Sequence, residues 1–471
     1  MLFRSWVPQP RSRCLVILLF AHIRHGLFND PNIAYHLRTL RKLPLFRLTM
    51  KNSYLTRSYT LIFPCLLLLF PGTALSTPVG AGLTEAALLM IAIAGFAHFR
   101  QSWFTPGHLS KPLKLFCVLW LISVALEFFL MTIHGFSASG MHSPLLRIAA
   151  VISLVLMVEA APKTRVFWYG IALGCFSVLV IASYRKFHLN IERPTGFHNP
   201  IHFGNFSLAM GMMALAALTQ LKSAPTSLKV LLGLATLAGV LTSLFSGSRG
   251  GWLALLLIFI PLMSISKDKK QMSFVALFFG AGLVLAYVVP ETGVRPRIES
   301  ITHDLIAYGQ GNIETSIGMR LELFRSSFNV FLAHPLIGVG DNFKFALDEM
   351  ARLGKPAAPG HNLNDTHNEV IYALMRGGVF GFAQLLLLYL APLIYFGRAL
   401  RRKDNRDNQA LLASAAAGFV LVLVTIDFGL TVNVFTRHIG KALYFILICF
   451  VVAMCEIELN NAKKSEEKFG S

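Results

Sequence analysis

The chain has 471 residues, 55% hydrophobic and only 14% charged, with mean hydropathy +0.60. Soluble domains carry about 25% charged residues, so a water-soluble globular fold is excluded. The formal net charge of +20 would suit nucleic acid. The excess Lys and Arg sit mostly in short loops between apolar runs, however, where they set topology and meet anionic lipid. No nucleic-acid partner is expected; membrane lipid is.

Residues 1–58 form a basic N-terminal segment. Its first 49 residues hold eight Lys/Arg against Asp30 alone. The apolar run "CLVILLFAHI" is too short to span and has no small-residue cleavage site close behind it. The segment is expected to be a cytoplasmic tail, or else the product of a mis-assigned start, with Met50 as the alternative. The six cysteines lie in or beside apolar segments without CxxC spacing, which supports neither a disulfide framework nor a zinc site.

From residue 59 onward, apolar runs of roughly 17–20 residues recur, each long enough to cross a bilayer. About twelve spans follow from them: 59–76, 83–99, 113–133, 146–161, 166–184, 201–219, 228–245, 252–266, 272–290, 369–397, 410–428 and 442–456. The fold class is therefore an all-α polytopic membrane protein. Residues 59–290 carry spans 1–9, residues 291–368 form a long loop before span 10, residues 369–456 carry spans 10–12, and residues 457–471 are a tail. Within the loop, "SIGMRLELFRSSFNVFLAHP" has helix-period apolar positions and is expected to form an amphipathic helix on the membrane surface.

Arg100, Lys111, Lys114, Lys163, Arg165, Lys222, Lys229, Lys267, Lys269 and Lys270 fall on one side, with "RALRRKDNR" and "NNAKKSEEK". The positive-inside rule makes that side the cytoplasm, with both termini there. The other side, the periplasm in a bacterium, receives Arg193, His198, Asn199 and His202 before span 6. It also receives Arg249 in "SGSRGGW", His367 and Asn368 before span 10, and Arg320 and Arg325 in the long loop.

Each of these residues has a plainer reading. An arginine at a span end also snorkels to the interface, and a histidine at a helix start is often only interfacial. Arg249 stands out because its Ser/Gly turn lets backbone amides approach an anion. His361, Asp365, His367 and Glu369 are close in sequence but lack HExxH spacing, so neither a metal centre nor a cofactor is expected. Glu127, in mid-span, is expected to face the protein interior without an assigned role.

Arginine pairs bidentately with phosphate and keeps its charge. At about 4 Å it contributes roughly 4 kcal/mol at an effective dielectric of 20. Two or three such contacts stabilise a pyrophosphate leaving group. A neutral histidine can take the proton of an attacking hydroxyl. With no ATP on that side, the donor must arrive activated, and a lipid pyrophosphate-linked sugar meets that need.

The same stretches resemble the O-antigen ligase family. His367-Asn368, nine residues on to Gly378 and then Gly381, is similar to its His-Asn signature. "SGSRGGWLAL" resembles its Ser-Arg-Gly turn, "RPTGFHNPIHFG" its arginine segment before a span, and "HPLIGVGDNF" its long-loop piece. The resemblance covers roughly residues 140–400. It implies a GT-C-like inner-membrane glycosyltransferase moving O-antigen from undecaprenyl pyrophosphate to a lipid A–core sugar, inverting and metal-independent. It casts His367 as base, Arg193, Arg249 and Arg320 as ligands of the donor pyrophosphate, and Asn368, Gly378 and Gly381 as supporting residues, the glycines through close helix packing. An O-antigen polymerase or a protein O-oligosaccharyltransferase would use the same donor. A transporter is the reading from another class; the clustering of charge on one face and the lack of a repeat between halves weigh against it.

Overall fold

A computed structural model describes residues 53–248, 294–340 and 366–469, with six isolated positions between 273 and 288. The chain divides at Tyr59 into two units, and of the first only the opening of a helix is described. Every regular element among the described residues is helical: α1 Ser53–Thr73, α2 Gly80–Phe104, α3 Lys111–His134, α4 Ala138–Ala160, α5 Arg165–Ser183, α6 Pro200–Gln220, α7 Thr226–Ser246, α8 Val294–Gly309, α9 Ser316–Ala333, α10 Glu369–Arg401, α11 Gln409–Gly429 and α12 His438–Phe469. Nine of these are long and apolar enough to cross a membrane, and Ser58–Thr73 adds a shorter apolar helix. They correspond to ten of the twelve expected spans. Span 252–266 and, but for those six positions, span 272–290 lie outside the described residues, like the basic segment before Ser53.

Local sequence fixes where the helices begin. Ser110 Oγ accepts the Leu113 amide at 3.1 Å, and Asn408 Oδ1 accepts that of Leu411 at 3.0 Å. Asn199 Oδ1 accepts the Ile201 amide at 2.8 Å, with Pro200 opening α6. Each such cap contributes about 1 kcal/mol by satisfying an amide that the helix cannot.

Helices α6, α11 and α12 are the most enclosed and form the centre of the bundle. α6 packs on α7 and α11, α12 on α4 and α11, α10 on α3 and α11, and α2 on α4. In lipid, hydrophobicity does not drive helices together, so small residues that permit close approach take over. The run 413–418 on α11, Ala-Ser-Ala-Ala-Ala-Gly, is wholly buried. Where α6 crosses α7, a Cβ on Gly239 would lie 2.5 Å from the Ser207 carbonyl.

Two findings differ from the sequence reading. The loop 291–368 carries two helices, α8 and α9, rather than one. α9 covers the stretch expected to be an amphipathic helix; Leu323, Ser326, Ser327 and Val330 are buried and Phe328 and Leu332 exposed, and it packs on α8 and α10. The tail from residue 457 is not a separate segment but continues α12 to Phe469. Hydrogen bonds hold the helix where that tail begins: Thr164 Oγ1 donates to Glu458 at 2.6 Å, while Ser110 Oγ and Tyr395 Oη donate to Glu456 at 2.7 and 2.8 Å.

Candidate functional site

The site is built around a break in α10. Gly378 has φ 59° and ψ −147°, a combination that only glycine adopts readily. The break frees the carbonyls of Met375 and Arg376 and the amides of Val379 and Phe380, which inside a membrane must find partners. Residues 335–340 supply all four. Val339 and Gly340 donate to Met375 and Arg376 at 3.1 and 2.8 Å, and Pro335 and Leu336 accept from Val379 and Phe380 at 2.8 and 3.4 Å. Gly338 and Gly340 have φ of 63° and 65°, and a Cβ on Gly338 would meet the Arg376 carbonyl carbon at 2.5 Å. His134 Nε2 lies 2.8 Å from the Ile337 carbonyl. Thus "HPLIGVG" and the glycines after Arg376 are two halves of one backbone junction. Gly378 serves this junction rather than helix–helix packing, and Gly381 approaches the Ala373 carbonyl of its own helix.

A testable consequence follows at Gly378. Gly378→Ala is expected to cost about 1–3 kcal/mol through strain, with further cost from the Cβ pressing on the Leu336 backbone. Thermal unfolding of the detergent-purified protein measures it. Gly397→Ala on the same helix, where the nearest atom would be 3.9 Å away, is the neutral comparison.

Beside the break lies a cavity of about 310 Å³ between α3, α4, α10 and α12. Its polar wall includes His134, Glu127, Glu369, Arg376, Gln384 and Lys441. At its inner end Glu127 pairs with Arg147, and accepts from Ser143 Oγ and Gln384 Nε2 at 3.2 Å each. Glu127 therefore faces the interior, as its mid-span position requires.

His367 precedes α10 with φ 50°, a left-handed conformation uncommon outside glycine. Its neighbours hold it there. Asn368 Oδ1 caps α10 through the Val370 and Ile371 amides at 3.0 and 3.1 Å, and its Nδ2 reaches the Leu430 carbonyl at 3.3 Å. The buried Thr366 hydroxyl lies 2.9 Å from the Asn368 carbonyl and 3.2 Å from Asn433 Oδ1. Glu369, only 4% exposed, accepts the Phe435 amide at 3.0 Å. The start of α10 is thus clasped to the loop between α11 and α12.

That loop also meets α6. His202 is buried close to the backbone of Asn433 and Val434 and near Arg437, with neither ring nitrogen in a hydrogen bond among the described residues. His198, in the segment before α6, reaches the Ala74 carbonyl at 3.2 Å. Burial keeps its imidazole below the usual pKa, and His438 nearby adds to the effect. Asn205, one turn below His202, accepts from Ser248 Oγ, which also lies 3.2 Å from the Ile201 carbonyl. Arg193 Nε is 3.4 Å from the Ser246 carbonyl, against the turn whose Gly247 has φ 65°. A Cβ on Gly204 would meet that of Ser248 at 2.6 Å.

Of the residues singled out from sequence, the structure ties His367 and Asn368 to the α11–α12 loop through Thr366 and Asn433, and ties the start of α6 to the turn that Arg193 meets; α6 packs on α11, but no hydrogen bond joins the two groups among the described residues. Arg249 follows that turn directly and lies outside the described residues, as do His361 and Asp365. Arg320 is exposed on α9 and takes no hydrogen bond or ion pair among the described residues. The reading overlooked Arg376, Lys441 and Arg437. The break in α10 had a signal in its Gly-Gly pair, and Arg376 stands immediately before it.

Comparison with known proteins bears on the same segments. The family model described as O-Antigen ligase matches residues 234–386, from within α7 through the turn, α9 and the break in α10. A Haemophilus influenzae protein, described as uncharacterized, is 23% identical over 317 residues, covering 65% of this chain and 78% of that one. The matched family is the one that the His-Asn and Ser-Arg-Gly motifs resemble, and the match takes in both motifs.

Proposed function

We propose that the protein is a glycosyltransferase of the bacterial inner membrane that transfers O-antigen polysaccharide from undecaprenyl pyrophosphate to a lipid A–core sugar. In this reading the end of the bundle carrying His367 faces the periplasm and both termini are cytoplasmic. His367 takes the proton of the acceptor hydroxyl as that oxygen attacks the anomeric carbon. The bond from that carbon to the pyrophosphate breaks on the opposite face, inverting the centre. Arg193 and Arg249, with Arg320 as a third, hold the departing pyrophosphate, so that neither ATP nor a catalytic metal is needed. The cavity beside the break, with Arg376 and Lys441 on its wall, seats one of the two amphiphilic substrates.

The observation that carries this reading is the junction of motifs. The start of α10 with His367 is tied to the α11–α12 loop, and the start of α6 to the Ser246–Ser248 turn; α6 packs on α11, so the two polar groups share one end of the bundle. An acid–base group and a cationic turn at one end of an apolar bundle suit substrates whose tails lie in lipid and whose reacting atoms lie at its surface.

Transfer in proteoliposomes tests it. The protein is supplied with undecaprenyl pyrophosphate-linked glycan and no nucleotide, and offered lipid A–core, more lipid-linked glycan, or a serine-containing peptide. Glycan on lipid A–core is the expected product. Extended lipid-linked glycan alone would instead make the protein a polymerase, and glycosylated peptide alone a protein glycosyltransferase. Absence of every product with intact donor overturns the membrane glycosyltransferase reading.

A further inference from the structure

We propose that Glu85, His142 and His438 form a site for one divalent transition-metal cation of the zinc class, which fixes the start of α12 against α2 and α4. The three residues come from three helices and meet near their N-terminal ends. Both imidazoles approach the same carboxylate oxygen: Nε2 of His142 and of His438 lie 3.0 and 2.8 Å from Glu85 Oε2. The rings are 4.8 Å apart between centroids. One donor atom from each residue falls within 4.8 Å of the others. In a tetrahedral zinc site, bonds of about 2.1 Å put the donors roughly 3.4 Å apart. The two nitrogen–oxygen separations are close to this, and side-chain torsions would adjust the third, which is within 4.8 Å.

Two features favour a cation over a pair of simple hydrogen bonds. The first is Glu85 Oε1, a buried oxygen with no hydrogen-bond partner among the described residues. Two donors crowd one oxygen while its twin has none, whereas a cation can draw on both. The second is the contrast with the only similar group described, at the opposite end of the bundle. There His98 and His108 meet Glu159 through different oxygens, Oε2 and Oε1, as expected of two separate hydrogen bonds. At Glu85 each imidazole would move its proton to Nδ1 and present the Nε2 lone pair. His438 is half-exposed, which leaves an open side for a water ligand, so three protein donors and one water complete the site.

The site stands apart from the transfer chemistry proposed above, since none of its ligands belongs to the His367 junction. Its effect reaches that junction through the chain. His438 follows Arg437 and the loop carrying Asn433, the partner of Thr366.

The experiment uses full-length protein without a polyhistidine tag, purified in detergent, stripped with EDTA and titrated with zinc sulfate. One equivalent is expected, with a rise in melting temperature. His142→Ala and Glu85→Gln are expected to weaken binding at least tenfold. His438→Ala, at a half-exposed position tolerant of change, is expected to abolish the thermal shift while leaving the zinc-free melting temperature within a few degrees of wild type. His98→Ala is expected to keep the full equivalent. The proposal is overturned if wild type takes up no stoichiometric zinc, or if His438→Ala binds it with wild-type affinity and thermal shift.

Discussion

His367→Ala is expected to reduce polysaccharide transfer by about 10²–10⁴-fold, the usual contribution of a positioned general base, while the protein stays in the membrane at wild-type level. Laddering of lipopolysaccharide in a ligase-deficient strain, with membrane levels checked by blot, reads it. Alanine alone does not separate two effects, because His367 has φ 50° and a left-handed alanine costs roughly 1–2 kcal/mol. Asparagine tolerates that conformation and offers no base. His367→Asn should therefore keep the α10 cap and lose the ladder. A His367→Asn protein that ladders normally would remove the base role and leave His367 as a backbone element of the cap. Arg193→Ala is the companion: one arginine about 4 Å from a phosphate contributes roughly 4 kcal/mol at an effective dielectric of 20. Its loss should lower transfer at limiting donor. Arg193→Lys should recover only part, because a lysine cannot form the bidentate pair.

The sequence made the spans legible because bilayer thickness fixes their length, and ten runs are helices at nearly the expected positions. The caps went unread, although Ser110, Asn199, Asn368 and Asn408 each stand just before an apolar run. The break in α10 was harder to see. "ALMRGGVFGF" reads as a helix with glycines on its surface, and only the backbone of residues 335–340, arriving from the preceding loop, turns it into a junction. Pairings between separate spans have no local period. Glu127 and Arg147 are 20 residues apart, and Glu85 and His438 are 353 apart, so no motif spacing links either pair. His367 reaches the α11–α12 loop through Thr366 and Asn433, and the buried His202 of α6 lies beside that loop; the three belong to different segments. Sequence reading placed these groups on one side but had no means of ordering them.

Removing one partner of the pair beneath the cavity should destabilise the protein strongly. The Arg147 side chain is 0% exposed. Besides Glu127 it meets Ser123 Oγ at 2.6 Å, the Ser143 carbonyl at 3.4 Å, and the face of Phe445, whose centroid lies 5.5 Å away. None of these neutralises a charge. Glu127→Ala is therefore expected to cost about 3–5 kcal/mol, the range for a buried cation stripped of its partner. Unfolding in mixed micelles at increasing SDS measures it. The double variant Glu127→Met, Arg147→Met removes both charges and keeps much of the volume, and should recover most of that loss, because the desolvation penalty disappears with the ions. If the single variant is as stable as wild type, Arg147 has found water or another anion and the pair does not hold α3 to α4. The double variant carries a second readout. Glu127 lines the cavity and accepts from Gln384 of α10, so a refolded double variant that fails in transfer would place this pair in the substrate seat as well as in the scaffold. Wild-type transfer would confine it to the scaffold, leaving Arg376 and Lys441 as the cavity's cations in contact with substrate.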